Sequence, residues 1–456
     1  MKSRFAIGLF FFISICLVFN NKEWKKNIYT SDNTGYYLYL PATIIYHGLG
    51  SLSFLQSVQE KYPTIPVTTW FIYDGAAGKK NDKYAIGTCL FELPLFLAAH
   101  AYCLATHKYA ADGFSAPYQW AGIFSCILWV VAGLFVLRKF LLCYYNDLAV
   151  AVAILCISLG TNLYYYTVFE PGFSHPYSFF LFSSILYCTR QWYGQQCTKY
   201  LYLLGFLLGL VAVTRPVNII VAVIPLLWEV NSLSSLKQRL RSFYTHKKAI
   251  SISLFLFLCM LSLQLAYWKF SSGHWLYFSY KGEGFDFLHP RIRKGLFSYR
   301  KGWFVYAPVA FISLTIGIPA LWFKNKKLIL AIIVFFSILI YVVFSWRNWW
   351  YGGGFGCRPL IESMAVLSLP LTALAEKVFS YRRILFSLSF FVMISGFIVL
   401  NLFQSWQFSV GIIHYDRMSK EYYWRVFGKT KINPLDYEKY LMDEHEYWRE
   451  ITRISY

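Results

Sequence analysis

Runs of about 17–22 apolar residues alternate with short polar segments along most of this chain. A closed helix satisfies its own backbone hydrogen bonds in lipid, so such runs are typical of membrane-spanning helices. The pattern therefore predicts an all-α polytopic membrane protein. The first run, about residues 5–18, follows Lys2 and Arg4 and is also compatible with a signal peptide. We favour an uncleaved first span, because no small-x-small cleavage site follows it.

Basic residues lie in the short segments between apolar runs, and this bias assigns each segment to a side of the membrane. We place the basic segments in the cytoplasm, namely residues 138–139, 237–248, 324–327 and 381–383. The opposite side then receives residues 161–175, 214–216, 271–303 and 347–358, and the tail after Gln404. This assignment predicts a cytoplasmic N-terminus and an extracytoplasmic C-terminal tail.

The front of the chain decides the number of spans. If Asp32 is outside, an odd number of spans must connect it to Arg138, but the sequence offers two apolar runs, about residues 85–105 and 118–137. Glu92 and Pro94 interrupt the first run. We therefore predict that the first run lies in or dips into the outer interface and that the second run spans.

This choice gives about eleven spans in a transmembrane domain of residues 1–403, followed by an extracytoplasmic tail of residues 404–456. The first outer loop, residues 21–117, then carries interfacial helices. In the alternative, residues 36–55 also insert and the count rises to about thirteen.

Composition excludes several other classes of protein. The chain has 456 residues and a net charge of +21, but the positive-inside bias and anionic lipid explain most of that charge, so we predict no nucleic-acid partner. The ten cysteines are scattered without a CxxC pair or a His/Cys cluster, which predicts neither a disulfide framework nor a structural zinc site. Aromatic residues make up 21% of the chain, more than interfacial belts require. The remainder are candidates for stacking against sugar rings.

The first candidate for chemistry is Asp32, which follows the first span and precedes a run of tyrosines. A general base for a hydroxyl acceptor needs a partly desolvated carboxylate of this kind. The alternative is ordinary capping of a helix that starts near Gly35. Under the catalytic interpretation, Tyr36, Tyr37 and Tyr39 shape a sugar pocket beside the carboxylate.

A second candidate is the basic outer loop of residues 271–303, in which Arg300 and Lys301 directly precede an apolar run. Guanidinium and ammonium groups bind phosphate oxygens, so this loop is a candidate anion site. Two alternatives stay open. The loop is a solvated face, or the assigned topology is reversed.

A third candidate is the glycine-rich turn of residues 347–359, which carries Trp349, Trp350 and Arg358. It is not a Walker loop, because the Gly-Lys-Ser/Thr ending is absent. An aromatic belt with snorkelling arginines is one interpretation. Because an arginine entering the bilayer needs a partner, Arg358 is better explained as a phosphate contact, with the two tryptophans in the sugar pocket.

Three further residues are candidates. Arg215 lies between two apolar runs with no loop to solvate it, which favours an anionic partner. Glu170 and His175 place a carboxylate and an imidazole at an outer span end, where His175 is a structural hydrogen-bonding group, a substrate contact or a metal contact. Glu92 and Glu362 are weaker candidates, as partners of arginines or as interfacial residues.

Taken in order along the chain, these motifs resemble the GT-C superfamily of membrane glycosyltransferases. The resemblance is closest to the bacterial branch around the protein O-mannosyltransferases and the lipid A aminoarabinose transferase. It covers residues 1 to about 403. The segments that carry it are Asp32, Lys83-Tyr84-Ala85-Ile86-Gly87 with Leu93-Pro94, Thr214-Arg215-Pro216-Val217-Asn218, Tyr299-Arg300-Lys301-Gly302-Trp303 with Ala307-Pro308, and Gly356-Cys357-Arg358-Pro359.

The resemblance implies a large first outer loop, a bacterial inner membrane, and an inverting transfer of a sugar from a polyprenyl-phosphate donor to a glycan, lipid or protein acceptor. Members commonly show an Asp-Glu pair in the first outer loop, where this chain has Asp32-Asn33. A mechanism with a single base, Asp32, is therefore expected.

On this hypothesis the lipid-linked sugar is a co-substrate and Arg215, Arg300, Lys301 and Arg358 bind the donor phosphate. We predict no protein metal site, and the dependence on a divalent metal stays open. A transporter or flippase for a lipid-linked or anionic substrate is the competing class. That class predicts polar residues deep within spans and internal repeats, neither of which the sequence favours. The enzyme hypothesis requires Asp32, Arg215, Arg300 and Arg358 to converge on one outer cavity.

Overall fold

The computed structural model describes residues 1–21, 27–62, 69–381, 383–444 and 447–448. The protein is 72% helical and nearly all-α. One small antiparallel hairpin of β1 (Ile72–Asp74) and β2 (Lys80–Asp82) is the only paired sheet in the described ranges. Arg382 of the predicted basic loop, and residues 445–446 and 449–456 of the predicted tail, lie outside the described residues.

The α-helices follow one another closely along the chain. They are α1 (Lys2–Asn20), α2 (Asp32–Ile44), α3 (Phe54–Lys61), α4 (Gly87–Thr106), α5 (Ala116–Leu141), α6 (Asp147–Leu159), α7 (Leu163–Val168), α8 (Ser174–Gln195), α9 (Thr198–Thr214), α10 (Val223–Leu227), α11 (Leu233–Thr245), α12 (Lys247–Ser272), α13 (Ile292–Phe297), α14 (Trp303–Tyr306), α15 (Pro308–Ile312), α16 (Ile318–Asn325), α17 (Ile329–Ser345), α18 (Met364–Ser380), α19 (Ile384–Ser409), α20 (Lys420–Val426) and α21 (Pro434–Tyr440). Short 3-10 turns precede α10 (Pro216–Ala222) and α17 (Lys326–Leu328), and a π-turn (Ser313–Gly317) joins α15 to α16.

Six helical stretches of the described chain are long and apolar enough to cross a membrane. They are α1, α4, α5, α12, α19 and the continuous stretch Pro308–Ser345. Shorter apolar helices are α6, α9 and the stretch Pro216–Leu227. The expectation of a helical membrane protein is thus confirmed by the length and composition of its helices.

The stretch Pro308–Ser345 is a helical hairpin. Its two ends meet, because the ring centroids of Trp303 and Phe336 lie 6.1 Å apart and the Arg291 backbone N–H donates to the Phe344 carbonyl at 2.7 Å. The reversal occurs at Asn325, whose backbone leaves the helical region and whose side chain accepts from the Lys327 N–H. The basic segment predicted at 324–327 is therefore a turn between two antiparallel helices.

Several basic and acidic residues gather at one end of the bundle, which we call the basic end. Arg138 donates to Ser3 Oγ at 2.6 Å, and Ser3 donates to the Asp147 carboxylate. Lys324 pairs with Glu376 at 2.6 Å. The start of the chain and the segments at 138–147, 324–327 and 376 therefore lie together, as their shared assignment to one side of the membrane requires.

Helix α4 differs from the expectation for the apolar run at 85–105. It continues through Pro94 as one helix of 20 residues, so Glu92 and Pro94 do not interrupt it. It runs antiparallel to α5. The Phe91 carbonyl accepts from Trp129 Nε1 near the middle of α5, whereas His100 Nδ1 lies 2.6 Å from Tyr118 Oη at the start of α5. Helix α4 therefore starts about halfway along α5 and ends beside its first turn.

The alternative in which residues 36–55 span the membrane is not supported. Helix α2 ends at Ile44 after 13 residues. A helix of that length is about 20 Å long, less than the hydrocarbon core. At the other end of the chain, α19 continues to Ser409, six residues beyond the predicted boundary at 403.

Candidate active site

A cavity of about 540 Å³ lies at the end of the bundle opposite the basic end. Its walls come from distant parts of the sequence. They are the start of α2, the segment after β2, the end of α9, the C-terminal half of α12 with the loop that follows it, and the loop between α17 and α18. Five of the residues proposed from sequence line this cavity, namely Asp32, Tyr36, His175, Arg215 and Arg358.

Asp32 and Arg358 form an ion pair in the cavity wall. Arg358 Nη2 lies 2.8 Å from Asp32 Oδ2, and both side chains are about 85% buried, with exposures of 14% and 15%. Ser31 makes no side-chain capping hydrogen bond to α2, so the structure does not favour the capping interpretation. The same Nη2 donates to the Tyr351 carbonyl at 2.7 Å, which fixes the guanidinium on the glycine-rich loop. Asp32 therefore faces the cavity with a positive charge beside it.

Arg215, His175 and Glu362 form a buried hydrogen-bonded chain. Arg215 Nη1 lies 3.2 Å from His175 Nε2, and His175 Nδ1 lies 3.0 Å from Glu362 Oε2. A guanidinium only donates, so Nε2 accepts and the imidazole is neutral with its proton on Nδ1. Arg215 Nε also lies 3.4 Å from Glu362 Oε1. Both nitrogens of His175 are thus used inside the protein, and its role here is to hold Arg215.

The expectation that Glu362 is a partner of an arginine is confirmed, whereas that for Glu92 is not. Burial would raise the pKa of Glu362, but His175 and Arg215 hold it below its usual range. Glu92 is only 2% exposed and accepts from Tyr177 Oη at 3.0 Å. Glu92 is therefore buried within the protein, and no ion pair of the described residues joins it to an arginine.

Sequence reasoning missed a third charged pair in the cavity. Lys83 is 5% exposed and pairs with Glu283 of the loop after α12. Its ammonium lies 4.8 Å from the Trp70 ring centroid and 4.7 Å from that of Tyr280, inside cation–π range. In the sequence, Lys83 begins an aromatic segment and Glu283 is an acid within a basic loop. Nothing in the sequence indicates that the two residues form a pair.

Aromatic side chains form much of the remaining wall. Three tryptophans and six other aromatic residues face the cavity in addition to Tyr36, namely Trp70, Trp268, Trp346, Tyr84, Tyr277, Phe278, Tyr280, Phe285 and Tyr351. Sugar rings and prenyl chains both pack on such surfaces, because their C–H groups are apolar. The cavity therefore combines charged pairs with a wall suited to a ring or a hydrocarbon chain.

Two of the four proposed phosphate-binding cations lie elsewhere. Arg300, which is 1% exposed, donates through Nε to the Asp416 carbonyl at 2.9 Å and lies 3.2 Å from Asp416 Oδ1. Lys301 donates to the carbonyls of Gly354 and Tyr415. Neither side chain is among the described residues that line the cavity. Asp32, Arg215 and Arg358 therefore converge on one cavity as predicted. Arg300 and Lys301 do not, because they bind residues of the C-terminal segment instead.

The predicted aromatic pocket divides in the same way. Asp32 and Tyr36 are four residues apart, so they share a face of α2 and both line the cavity. Tyr37 points away and stacks on Tyr29 with ring centroids 3.7 Å apart, and Tyr39 Oη donates to the Tyr84 carbonyl at 2.6 Å. The helical period of α2 turns Tyr37 away from the cavity. Tyr39 shares the face of Asp32 but lies two turns further along α2, where its hydroxyl binds the Tyr84 carbonyl.

Trp349 and Trp350 also lie away from the cavity. Both are buried, and the Trp350 ring lies under the Arg300 guanidinium at 3.7 Å. The same loop instead presents Asn348, Tyr351 and two glycines to the cavity. Gly354 and Gly356 adopt positive φ angles of 152° and 59°, and a Cβ on Gly354 would lie 2.5 Å from Tyr166 Oη. The glycines thus permit the turn that aims Arg358 at Asp32.

Glu170 is half-buried in the loop between α7 and α8, and it is not among the described residues that line the cavity. Burial raises the pKa of its carboxyl to about 7, an effect that the nearby charge of Arg358 reduces and that of Asp32 increases. Glu170 is therefore placed to change the net charge around Arg358 near neutral pH.

Asn33, which directly follows Asp32, has a structural role. Its Nδ2 donates to the carbonyls of Ile28 and Pro171, and its Oδ1 accepts from the backbone N–H groups of Thr30 and Ser31. An aspartate could supply none of the donated hydrogen bonds. This side chain therefore fixes the turn that precedes Asp32.

We expect Asn33→Asp to destabilise the protein by roughly 3 kcal/mol, because two buried carbonyls lose their donor and a charge enters a site that is 2% exposed. The measurement is thermal unfolding of the purified protein in detergent. Asn231→Asp is the matched control, since Asn231 is exposed. Equal unfolding midpoints for the two variants would contradict the structural role of Asn33.

The arrangement can bind an anion and move a proton beside it. Arg215 and Arg358 supply positive charge, Asp32 supplies a carboxylate, and each is held by partners within the protein. No group of three or more His, Cys, Asp or Glu side chains suited to a metal ion occurs in the described ranges. Comparison with family models, with curated proteins and with solved structures finds no match to this chain.

Proposed function

We propose that this protein is a membrane glycosyltransferase that moves a sugar from a polyprenyl-phosphate donor to an acceptor hydroxyl, with inversion and with Asp32 as general base. The observation that carries the proposal is the Asp32–Arg358 pair beside Arg215 in one aromatic-walled cavity at the end of an apolar bundle. The resemblance to the GT-C superfamily agrees with it.

The proposal includes about eleven spans, with the cavity on the extracytoplasmic side of a membrane that the resemblance implies is a bacterial inner membrane. Helices α8, α9, α12, α18 and both arms of the hairpin connect the basic end to the cavity end. By the positive-inside rule, the basic end is cytoplasmic. In this proposal α4 reaches about halfway along α5 and does not cross the membrane, which keeps the number of spans between Asp32 and Arg138 odd.

The donor phosphate binds between Arg215 and Arg358 in this proposal. It displaces Asp32 from Arg358, because the phosphodiester oxygens and the carboxylate compete for the same guanidinium. The neutral His175 and Glu362 hold Arg215 in place during this exchange. Binding of the donor thereby releases the carboxylate that the reaction needs as a base.

In the chemical step the acceptor hydroxyl attacks the anomeric carbon from the face opposite the phosphate. Asp32 takes the hydroxyl proton as the new C–O bond forms. The bond between the anomeric carbon and the phosphate oxygen breaks, and its electron pair leaves with polyprenyl phosphate. Arg215 and Arg358 stabilise the charge that develops on this leaving group.

The test of the proposal is a transfer assay with the purified protein in proteoliposomes. A panel of polyprenyl-phosphate sugars is added with candidate acceptors, and the release of polyprenyl phosphate and the new glycoside are measured. We expect at least one donor to be consumed. A transporter or flippase would move a labelled lipid-linked sugar across the bilayer with its phosphate–sugar bond intact, and that result would overturn the proposal.

The pH dependence of donor binding gives a further prediction. A phosphodiester carries one negative charge throughout the neutral range, whereas Glu170 gains a negative charge beside Arg358 as pH rises through about 7. We therefore expect donor affinity to fall by about threefold to tenfold between pH 6 and pH 8. The measurement is a titration of the donor against the reconstituted protein at several pH values.

Glu170→Gln is the matched variant, because it mimics the protonated carboxyl at every pH. We expect its affinity to resemble that of the natural protein at pH 6 and to vary less with pH. Burial lowers the pKa of Lys301 to about 7 as well, but both proteins retain Lys301, so the difference between the two profiles reports Glu170. Identical profiles would exclude this role of Glu170.

A further inference from the structure

Arg300 connects the C-terminal segment to the glycine-rich loop. It binds the backbone and the carboxylate of Asp416, and it stacks on Trp350 of the loop between α17 and α18. Asp416 is 4% exposed, and its second carboxylate oxygen accepts from Tyr447 Oη at 2.9 Å. A buried carboxylate with these partners is an organised contact rather than a chance encounter of a tail with a surface.

Lys301 makes the second connection. Its ammonium donates to the Gly354 carbonyl of the loop and to the Tyr415 carbonyl of the C-terminal segment, and the side chain is 3% exposed. The Gly354 N–H also lies 3.4 Å from the Tyr415 carbonyl. The ammonium therefore joins two chain segments that share no secondary structure.

The loop held in this way carries Arg358. From the tail contacts at Gly354 the chain passes through Phe355, whose N–H donates to Tyr166 Oη at 3.0 Å, and reaches Arg358 four residues after Gly354. Upstream, Tyr351 accepts from Arg358 Nη2. A glycine-rich segment has many accessible conformations, so external contacts must select the one that aims Arg358 at Asp32.

We propose that residues 412–426 are a positioning element of the active site, in which Asp416 acts through Arg300 and Trp350, and Tyr415 acts through Lys301, to hold the loop that presents Arg358. Asp416 is a positioning residue and touches no substrate. The expected change in the conformational order of the loop depends only on these contacts. The expected change in donor binding rests on the proposed function.

Asp416→Asn tests the proposal, because it keeps the shape of the side chain and removes the charge opposite Arg300. In the full-length reconstituted protein, amide hydrogen exchange is measured in residues 349–358, and binding of polyprenyl phosphate is measured by titration. We expect exchange in this loop to accelerate at least about tenfold and polyprenyl phosphate to bind about tenfold more weakly. Asp416→Glu, which retains the charge, is expected to recover part of both effects.

Asp436→Asn is the matched control. It breaks the Arg425–Asp436 pair, at 3.3 Å, within the C-terminal segment and leaves the loop contacts intact. We expect this control to exchange like the natural protein in residues 349–358. Unchanged exchange in Asp416→Asn, or equal acceleration in both variants, would overturn the positioning role. Failure of the natural protein to bind polyprenyl phosphate, with the expected exchange in Asp416→Asn, would instead count against the proposed function.

Discussion

Arg358→Gln is expected to reduce kcat/KM for sugar transfer by about a thousandfold. In the proposed mechanism Arg358 faces the developing charge of the leaving group, and loss of one such donor typically lowers the rate by about 10²–10³. The variant also leaves Asp32, with 15% exposure, without its partner. The measurement is the initial rate of release of polyprenyl phosphate in proteoliposomes, together with the affinity for the donor.

Loss of folding must be separated from loss of binding in this variant. The double variant Asp32→Asn/Arg358→Gln removes both charges, so it is expected to unfold at a temperature close to that of the natural protein while still binding donor weakly. Arg293→Gln is the matched control, since Arg293 is an exposed arginine of α13 that does not line the cavity. Donor affinity within twofold of the natural value in Arg358→Gln would exclude Arg358 as a phosphate contact.

Asp32→Asn is expected to reduce kcat by about 10²–10⁴, the usual contribution of a general base. Its effect on binding is opposite to that of Arg358→Gln. The amide no longer competes for Arg358, so donor affinity is expected to stay the same or to increase. A large fall in kcat without weaker donor binding is therefore the signature that distinguishes a base from a structural counter-ion.

The control for Asp32→Asn is Asp74→Asn, because Asp74 is an exposed carboxylate of β1 that is paired with Lys80 and does not line the cavity. We expect this control to retain full transfer activity. Transfer by Asp32→Asn at the natural rate would eliminate the general-base role. Equal losses of activity in Asp32→Asn and Asp74→Asn would point to a general structural effect and not to loss of a base.

The sequence was sufficient to predict a helical membrane protein and a cavity with Asp32, Arg215 and Arg358. Each of these residues is charged and lies at the end of an apolar run, where it needs an oppositely charged partner or substrate. This requirement can be recognised from the adjacent sequence alone. Glu362 follows the same logic, because it lies four residues after Arg358 at the start of an apolar run. At these positions, the adjacent residues in the sequence were enough to predict that the charge is partnered.

The partners of Arg300, Lys301 and Lys83 could not be predicted in this way. Asp416 lies 116 residues from Arg300, and Glu283 lies 200 residues from Lys83. No periodicity connects segments so far apart. Helix α4 shows a different limit. In isolation Pro94 opposes a continuous helix and Glu92 opposes burial of that helix. In the folded protein, packing on α5 and the hydrogen bond from Tyr177 offset these costs.

The three charged pairs of the cavity have a consequence for selectivity between soluble and lipid-linked donors. Asp32, Glu283 and Glu362 balance Arg358, Lys83 and Arg215, so binding of a phosphate exchanges one anion for another. The electrostatic gain from such an exchange is small, and a water-soluble sugar phosphate would receive little else. A prenyl chain adds about 0.8 kcal/mol for each buried methylene. Under the proposed function, a cavity that is neutral before binding would thereby favour donors that carry a hydrocarbon chain over nucleotide sugars that carry more charge.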